Sequence, residues 1–248
     1  MTLNILLPKA HSEQRRWQQL ALENEVTLTM VDPWLIETLP EQPQTKSIWL
    51  NLDQYQGVIC VSPTAAKVLI DALDCYWPMP PVGVHWLCNG PRTASVLKAA
   101  GLNVRYPTEG NTAEDVLELP ETKVTASDKW LIVKGEGGRV TYLETLKARG
   151  ANAIELEVYR RSMNSSVMAD MPALASQCQA LWLSSEYLGS QLLQNNSDFW
   201  LAWVGQWWLS SDRLQIWATK QGITNTIVGL GATPEALGQM IKQHSTNL

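Results

Sequence analysis

The stretch Trp130–Arg161, WLIVKGEGGRVTYLETLKARGANAIELEVYRR, indicates the fold of this chain. The apolar run Trp130–Val133 is typical of a strand that is buried on both faces. The flexible loop Gly135–Gly138 follows, and apolar residues at helical spacing then lead to Gly150, a favourable residue for ending a helix. Ile154–Val158 has the composition of a second strand. A strand, loop, helix and strand of these lengths predict a βαβ unit and therefore a parallel sheet.

Apolar runs alternate with amphipathic segments on both sides of this stretch. The other predicted strands are Asn4–Leu7, Thr27–Val31, Gly57–Val61, Val84–Cys88, Val104–Tyr106, Ala180–Leu183, Trp200–Val204, Trp207–Leu209 and Thr226–Val228. Prolines at positions 33, 40 and 43 instead predict a linker after the second of these strands. The alternation therefore predicts an α/β protein whose sheets are parallel.

The two halves of the chain show a weak internal symmetry. In each half a strand leads to a Ser/Thr loop and a helix, and a second such unit ends in Gly and another strand: Gly101 in one half, Gly222 in the other. We therefore predict two similar domains, with two chain crossings between them. The first is discontinuous and contains residues 1–35 and 163–248, and the second contains residues 36–162.

Composition and charge exclude several classes of protein. Of the 248 residues, 45% are hydrophobic and 17% are charged, which is an ordinary globular balance. The net charge of −5 argues against a broad nucleic-acid surface. There is no signal-peptide pattern and no apolar run of membrane-spanning length, so we expect a cytoplasmic protein without membrane contact.

Cysteine, histidine and tryptophan usage favours packing over metal chemistry. Four cysteines and three histidines show no metal-ligand spacing, and Cys60 and Cys88 lie in apolar runs typical of buried thiols. Twelve tryptophans stand against one phenylalanine. A stacking platform for a planar ligand is one interpretation, but Trp207 and Trp208 lie inside a predicted strand. Core packing therefore fits the tryptophans better.

Five polar loops join predicted strands to predicted helices. They are Ser62–Thr64, Gly90–Thr93, Lys134–Arg139, Ser184–Glu186 and Ser210–Arg213. Backbone N–H groups, hydroxyls and cations at the positive end of a helix suit carboxylates or phosphates. Helix capping alone would explain any single loop. Five such loops in two domains favour a ligand with several anionic groups.

The motifs of several enzyme classes are missing from the sequence. Val140 occupies the last glycine position of the dinucleotide-binding pattern, so that interpretation fails. The chain contains neither a phosphate-binding P-loop nor a nucleophile elbow of the G-x-S-x-G type. An enzyme with this sequence would therefore work mainly by shaping its substrate.

The order and spacing of short motifs resemble uroporphyrinogen-III synthases over nearly the whole chain. The motifs are VSPTAA at 61–66, GPRTA at 90–94, YPTEGNTAEDVLELP at 106–120, KGEGGR at 134–139, EVYRR at 157–161, LSSE at 183–186, SSDRL at 210–214 and GATPEAL at 231–237. Each motif is degenerate, because the family is divergent. The resemblance implies two α/β domains, a two-stranded linker and an active-site cleft between the domains.

The resemblance also implies a reaction. Members of the family convert the linear tetrapyrrole hydroxymethylbilane to uroporphyrinogen III, with loss of water and inversion of the last pyrrole through a spiro intermediate. No cofactor or metal is implied. We expect a monomer, with hydroxymethylbilane synthase as a possible transient partner.

Tyr159, in the EVYRR motif, is the catalytic residue that the resemblance implies, because a neutral phenol can donate a hydrogen bond to the leaving hydroxyl. Packing at a strand end is the alternative for Tyr159. The implied substrate-binding residues are Ser62, Thr64, Thr93, Lys134, Gly137, Gly138, Arg139 and Ser185. Lys9 and Lys134 stand where many members have arginine, so bidentate recognition of carboxylates is not expected there.

Two other classes of function would share this fold prediction. One is a two-domain binding or regulatory protein that closes on an anionic small molecule without chemistry. The other is a glycosyltransferase-like enzyme, which would need a nucleotide-sugar site and for which the sequence has no acidic metal-binding motif. Product formation would separate a synthase from a binding protein.

Overall fold

A computed structural model describes residues 2–10, 14–123 and 127–244. Its strands are β1 (Asn4–Pro8), β2 (Thr27–Val31), β3 (Trp34–Thr38), β4 (Gly57–Cys60), β5 (His85–Cys88), β6 (Val104–Arg105), β7 (Lys129–Gly135), β8 (Asn152–Met163), β9 (Ala180–Leu183), β10 (Gln206–Leu209) and β11 (Thr226–Val228). Its helices are α1 (Gln14–Glu23), α2 (Pro43–Leu50), α3 (Pro63–Tyr76), α4 (Pro91–Ala99), α5 (Ala113–Leu117), α6 (Thr141–Ala148), α7 (Ser165–Ala175), α8 (Glu186–Ala202), α9 (Asp212–Lys220) and α10 (Pro234–His244).

Contacts divide the chain into two compact units. Unit 1 contains Met1–Leu35 and Met163–Leu248, and unit 2 contains Ile36–Ser162. The sheet of unit 1 has the strand order β11-β10-β9-β1-β2, and its paired strands are all parallel. The second sheet has the order β3-β8-β7-β4-β5-β6, and the strands from β8 to β6 pair in parallel. The prediction of an α/β protein with parallel sheets is therefore confirmed.

Each sheet is covered by apolar side chains on both faces, as parallel sheets require. The middle strands are largely buried, and Val58, Ile59 and Cys60 of β4 are each at most 1% exposed. Tryptophan fills much of this core. The buried tryptophans are Trp17, Trp49, Trp86, Trp130, Trp182, Trp200, Trp207, Trp208 and Trp217. The packing interpretation of the tryptophans is confirmed for these residues.

The predicted strand at Trp200–Val204 is wrong, because Trp200 lies in the long helix α8. Asn196 interrupts that helix with φ −157° and ψ 77°, and its Oδ1 accepts a hydrogen bond from the Phe199 amide at 3.1 Å. A second helical segment therefore begins after Asn196. Trp200 in this segment and Trp203, which directly follows it, both pack edge-on against Trp207. An apolar run as short as Trp200–Val204 shows no period, so its sequence does not distinguish a strand from a buried helix.

The linker predicted from the prolines contains a strand and a helix. β3 lies beside β8 at the edge of the second sheet, and α2 begins at Pro43. Proline suits the first helical position, where its missing N–H leaves no hydrogen bond unmade. Pro43 therefore marks the start of a helix and not the linker that we predicted from it.

Candidate active site

A cavity of 410 Å³ lies in unit 2 at the sheet edge where β4, β5 and β7 end. The carboxyl ends of parallel strands share one sheet edge, which is the usual ligand position in an α/β fold. The cavity is lined by the loop after β7, by the start of α5, and by side chains from β8 and α6. The polar side chains that line the cavity include Asn89, Lys134, Arg139, Tyr142, Glu155, Tyr159 and Arg161.

Tyr159 is held at this edge by two contacts. Its hydroxyl lies 3.1 Å from Ser62 Oγ, and either oxygen can donate the hydrogen. Ser62 is the N-cap of α3, and its Oγ also accepts a hydrogen bond from the Ala65 amide at 3.1 Å. The ring lies against Gly135, where a Cβ atom would come 2.6 Å from Tyr159 Cζ. The phenol is therefore fixed between a helix N-terminus and a glycine.

A bulge in β8, opposite the end of β7, places Tyr159 beside Gly135. Lys134 pairs with Glu157, but Gly135 pairs with Tyr159, so one extra residue is inserted in β8. The Glu136 amide continues the ladder by donating to the Tyr159 carbonyl at 2.7 Å. Bulges of this kind redirect side chains at the edges of active sites. Here the bulge brings the phenol to the cavity wall.

The glycine loop is open around its two central residues. Gly137 and Gly138 have φ values of +73° and +85°, which side chains with a Cβ atom rarely adopt. A Cβ atom built at either residue would have no neighbour within 4 Å. The Gly137 amide donates to Glu157 Oε1 at 2.9 Å. The glycines are thus required by backbone conformation, and the loop leaves space beside them.

Ion pairs surround the cavity. Lys134 Nζ lies 3.1 Å from Glu155 Oε1, and the two side chains are only 7% and 17% exposed. Lys134 also donates to the Arg139 carbonyl at 3.4 Å. At the exposed rim, Arg139 Nη1 lies 3.4 Å from Glu114 Oε1. Lys134 therefore lies in a buried pair, whereas Arg139 extends into solvent.

A second exposed pair fixes the loop to β8. Arg160 Nε and Nη2 donate to the two carboxylate oxygens of Glu136 at 2.6 and 2.9 Å. This bidentate contact with Arg160 lowers the pKa of Glu136. The carboxylate is thus held in its charged form next to the glycine loop.

Tyr142 is a second phenol at the cavity wall. Its side chain is 5% exposed, and its hydroxyl donates to Asn89 Oδ1 at 2.9 Å. Asn89 in turn donates to the Asn111 carbonyl at 3.2 Å. Burial, reinforced by the nearby Cys88 and Glu114, raises the pKa of Tyr142. Its proton is already engaged, so Tyr142 is placed to shape the cavity.

The predicted site residues are only partly brought together. Lys134, Gly137, Gly138, Arg139 and Tyr159 line the cavity, and Ser62 contacts it through Tyr159.

The remaining predicted residues lie elsewhere. Thr64 is in the first turn of α3, and Thr93, in α4, is 4% exposed. Ser185 belongs to unit 1, where its Oγ accepts from the Leu188 amide as the N-cap of α8. Lys9, also in unit 1, donates to Ser184 Oγ at 2.9 Å.

Sequence reasoning missed Asn89, Tyr142, Glu155 and Glu157. Asn89 directly follows the predicted strand Val84–Cys88 and so carried a usable signal, since residues after parallel strands share one edge. The two glutamates lie two positions apart on β8, a spacing that places both on one strand face. Tyr142 carried none, because a helical tyrosine more often packs in the core.

Neither metal ligands nor a membrane span are found in the described residues. No group of three or more His, Cys, Asp or Glu side chains there is arranged to hold a metal ion. No helix in that part of the chain combines the length and apolarity that crossing a bilayer requires.

Comparison of sequences relates the chain to one family. Residues 29–204 match the family model described as uroporphyrinogen-III synthase HemD. A uroporphyrinogen-III synthase from Escherichia coli (strain K12) is 30% identical over 189 residues, which are 73% of this chain and 74% of that protein. One from Salmonella typhimurium (strain LT2) is 38% identical over 86 residues, 34% of the length of each protein.

Comparison of structures finds a similar fold in solved uroporphyrinogen-III synthases. The crystal structure of a mutant uroporphyrinogen III synthase from Thermus thermophilus matches with a TM-score of 0.56 at 14% identity, over 99% of this chain and 98% of that one. The structure of uroporphyrinogen-III synthetase from Helicobacter pylori gives 0.58 at 10% identity, over 98% and 99%. At such identities the likeness shows the fold.

Proposed function

The chain belongs to the uroporphyrinogen-III synthase family, and we propose that it converts hydroxymethylbilane to uroporphyrinogen III as a lyase. The reaction removes the terminal hydroxyl as water and closes the ring with the last pyrrole inverted through a spiro intermediate. The function belongs to tetrapyrrole and haem biosynthesis. A binding protein without chemistry is not favoured, because the relatives that define the family are synthases.

The observation that carries the proposal is the position of Tyr159. Its hydroxyl is at the wall of a cavity at a sheet edge, within hydrogen-bond distance of the Ser62 hydroxyl. Since Ser62 Oγ already accepts from a backbone amide, its own hydrogen can point towards the phenol oxygen. The Tyr159 proton is then available for the leaving hydroxyl of the substrate. We assign Tyr159 as the group that assists departure of water.

The substrate's carboxylates define the second requirement. Arg139 and the Gly137 and Gly138 amides supply positive charge and donors at the cavity. Lys134 is paired with Glu155, and its contact with a substrate carboxylate stays a prediction. Ser62, Thr64, Thr93 and Ser185 stay predictions as carboxylate contacts.

Orientation is the main catalytic demand of this reaction. Hydroxymethylbilane also closes without help, and without inversion, to the symmetric type I isomer. The enzyme must therefore hold one folded conformation of the substrate while the hydroxyl departs. A cavity with fixed donors on one wall is suited to both tasks.

Three further expectations remain part of the proposal. We propose that the protein acts as a monomer in the cytoplasm, and that hydroxymethylbilane synthase delivers the unstable substrate through transient contact.

An isomer assay tests the proposed function. Freshly prepared hydroxymethylbilane is supplied, the products are oxidised, and type I and type III porphyrins are separated by chromatography. We expect an excess of type III that increases with protein concentration. Type I alone, at the rate seen without protein, would refute the synthase assignment if circular dichroism shows folded protein.

A further inference from the structure

Carboxylates of the chain itself already engage groups that a polycarboxylate substrate would use. The Gly137 amide donates to Glu157 Oε1 at 2.9 Å, and Lys134 pairs with Glu155 at 3.1 Å. These are the loop amide and the lysine that the sequence predicted as carboxylate contacts. A substrate carboxylate therefore meets an internal competitor at each of them.

We propose that Glu157 is a displaceable internal ligand of the glycine loop. Glu157 accepts the hydrogen bond of the Gly137 amide, and it leaves when a substrate carboxylate takes that amide. The identity of the substrate rests on the proposed function, whereas the exchange of one carboxylate for another does not depend on turnover. Glu157 thereby sets the affinity for the substrate's carboxylates.

Burial distinguishes Glu157 from Glu155. Glu155 and Lys134 are 17% and 7% exposed, so removing one from the other would leave a nearly buried charge without a partner. Glu157 is exposed and makes its contact with a neutral amide. Its departure exchanges one hydrogen bond for water at little cost. Of the two carboxylates, Glu157 is therefore the one that a substrate carboxylate can displace from its contact.

The loop can present the released amide to a ligand. Gly137 and Gly138 both have positive φ, and a Cβ atom at either would meet no atom within 4 Å. Glycine allows the peptide on either side to reorient with little strain. Glu157 also borders a neighbouring hollow of 270 Å³, so its side chain has space away from the loop.

Binding of a stable polycarboxylate provides the first test. Uroporphyrin III is titrated into the protein, and quenching of tryptophan fluorescence gives Kd for the wild type, Glu157→Gln and Glu157→Ala. We expect Kd to fall by about two- to fivefold in both variants, the range for one exposed charged contact. Asp74→Asn is the matched control, since it removes an exposed charge from the last turn of α3, at the opposite end from Ser62.

Equal or weaker binding by both Glu157 variants would overturn the proposal and make Glu157 a structural contact of the loop. An equal gain in affinity for uroporphyrin III in Asp74→Asn would also overturn the proposal, because the change in net charge alone would then explain the tighter binding.

A nuclear magnetic resonance titration observes the exchange directly. The amide resonance of Gly137 is followed in ¹⁵N-labelled wild type and Glu157→Ala while sodium acetate is added. We expect a saturable shift in the variant and a much smaller one in the wild type. Absence of the shift in Glu157→Ala would refute the exchange. A failed isomer assay with a positive acetate titration would refute the proposed function and leave the exchange standing.

Discussion

The contact between Tyr159 and Ser62 joins two residues that lie 97 positions apart in the sequence. Ser62 ends the loop after β4, and Tyr159 lies at the bulge in β8, opposite the end of β7. Each residue has an ordinary structural explanation by itself, a helix cap and a packed aromatic ring. Together they place two hydroxyls within hydrogen-bond distance beside the cavity, and the catalytic role that we propose for Tyr159 depends on this pair.

Removal of the Tyr159 hydroxyl should abolish most turnover. In Tyr159→Phe the ring keeps its packing against Gly135, but the donor for the leaving hydroxyl is lost. We expect turnover in the isomer assay to fall by about 100-fold or more. Circular dichroism and Tm should remain close to wild type. Near-native turnover would contradict the acid role and leave Tyr159 a packing residue.

Ser62→Ala should affect both stability and turnover. The α3 cap is lost, which costs about 1 kcal/mol in urea unfolding, and Tyr159 loses its partner. We expect turnover to fall by roughly 10-fold or more as the phenol loses its position. Ser62→Thr, which restores a hydroxyl, should recover most of the activity.

Asn164→Ala is the control for capping, because Asn164 caps α7 through the same kind of contact. The variant should lose a similar amount of unfolding free energy and keep its turnover. If Ser62→Ala behaves as Asn164→Ala does, Ser62 does not position Tyr159.

At the scale of elements, β8 organises the site. It supplies Glu155, Tyr159 and Arg161 to the cavity, and a bulge shifts the last two relative to β7. The loop after β7 is fastened to the same strand by the Arg160–Glu136 pair. The cavity wall is therefore one strand and the loop that this strand holds.

Lys134 and Glu155 should behave as a buried pair. In Lys134→Met, Glu155 remains nearly buried without its partner, and we expect a loss of about 3–5 kcal/mol in unfolding free energy. Chemical denaturation of Lys134→Met, Glu155→Leu and the double variant forms a double-mutant cycle. The double variant should recover much of the loss. Additive losses would show that the two charges act independently.

Elements with a clear hydrophobic period were predictable from the sequence. Thr27–Val31 was predicted with its observed bounds, and all five polar loops lie between a strand and a helix. Two errors have physical causes. Trp200 lies in an apolar run too short to show a period, and the proline at position 43 begins a helix.

The site was less predictable than the elements, because it depends on strand order. Ser62 meets Tyr159 since β4, β7 and β8 are neighbours in the sheet, and sequence gives the order of strands along the chain only. The bulge at Gly135 is likewise a matter of pairing. Tyr159 was named from resemblance, whereas its partner Ser62 was expected to bind substrate.

At the scale of the whole molecule, several acidic side chains have lowered pKa values. They are Glu114, Asp115, Glu136 and Glu235. Hydrogen bonds are the largest cause in each case: from its own backbone amide for Glu114 and Glu235, from the Thr112 backbone for Asp115, and from the Arg160 side chain for Glu136. A carboxyl group whose pKa is lower in the folded state adds stability above its ordinary pKa.

Stability should therefore decline in acid. The contribution is complete above the ordinary values of 4.5 for Glu and 3.8 for Asp, and it is lost as pH falls through the lower folded values. We expect the urea concentration at the midpoint of unfolding to be constant from about pH 6 to about pH 4.5 and to decrease from there to about pH 3. Arg160→Gln removes the main cause of the lowered pKa of Glu136, so stability should decrease less steeply with falling pH in this variant. A midpoint independent of pH over that range would contradict the expectation.

The division of unit 1 between two parts of the chain has a consequence for synthesis on the ribosome. β1 is made before unit 2, but it pairs with β9, where Ile5 lies opposite Ala180. At about 5–20 residues per second, roughly 9–35 s pass between these residues. During that time Ile5, Leu6 and Leu7, buried in the finished protein, have no β9 to cover them. Unit 2 is complete before β9 is made, so newly made β1 needs protection from aggregation during this interval.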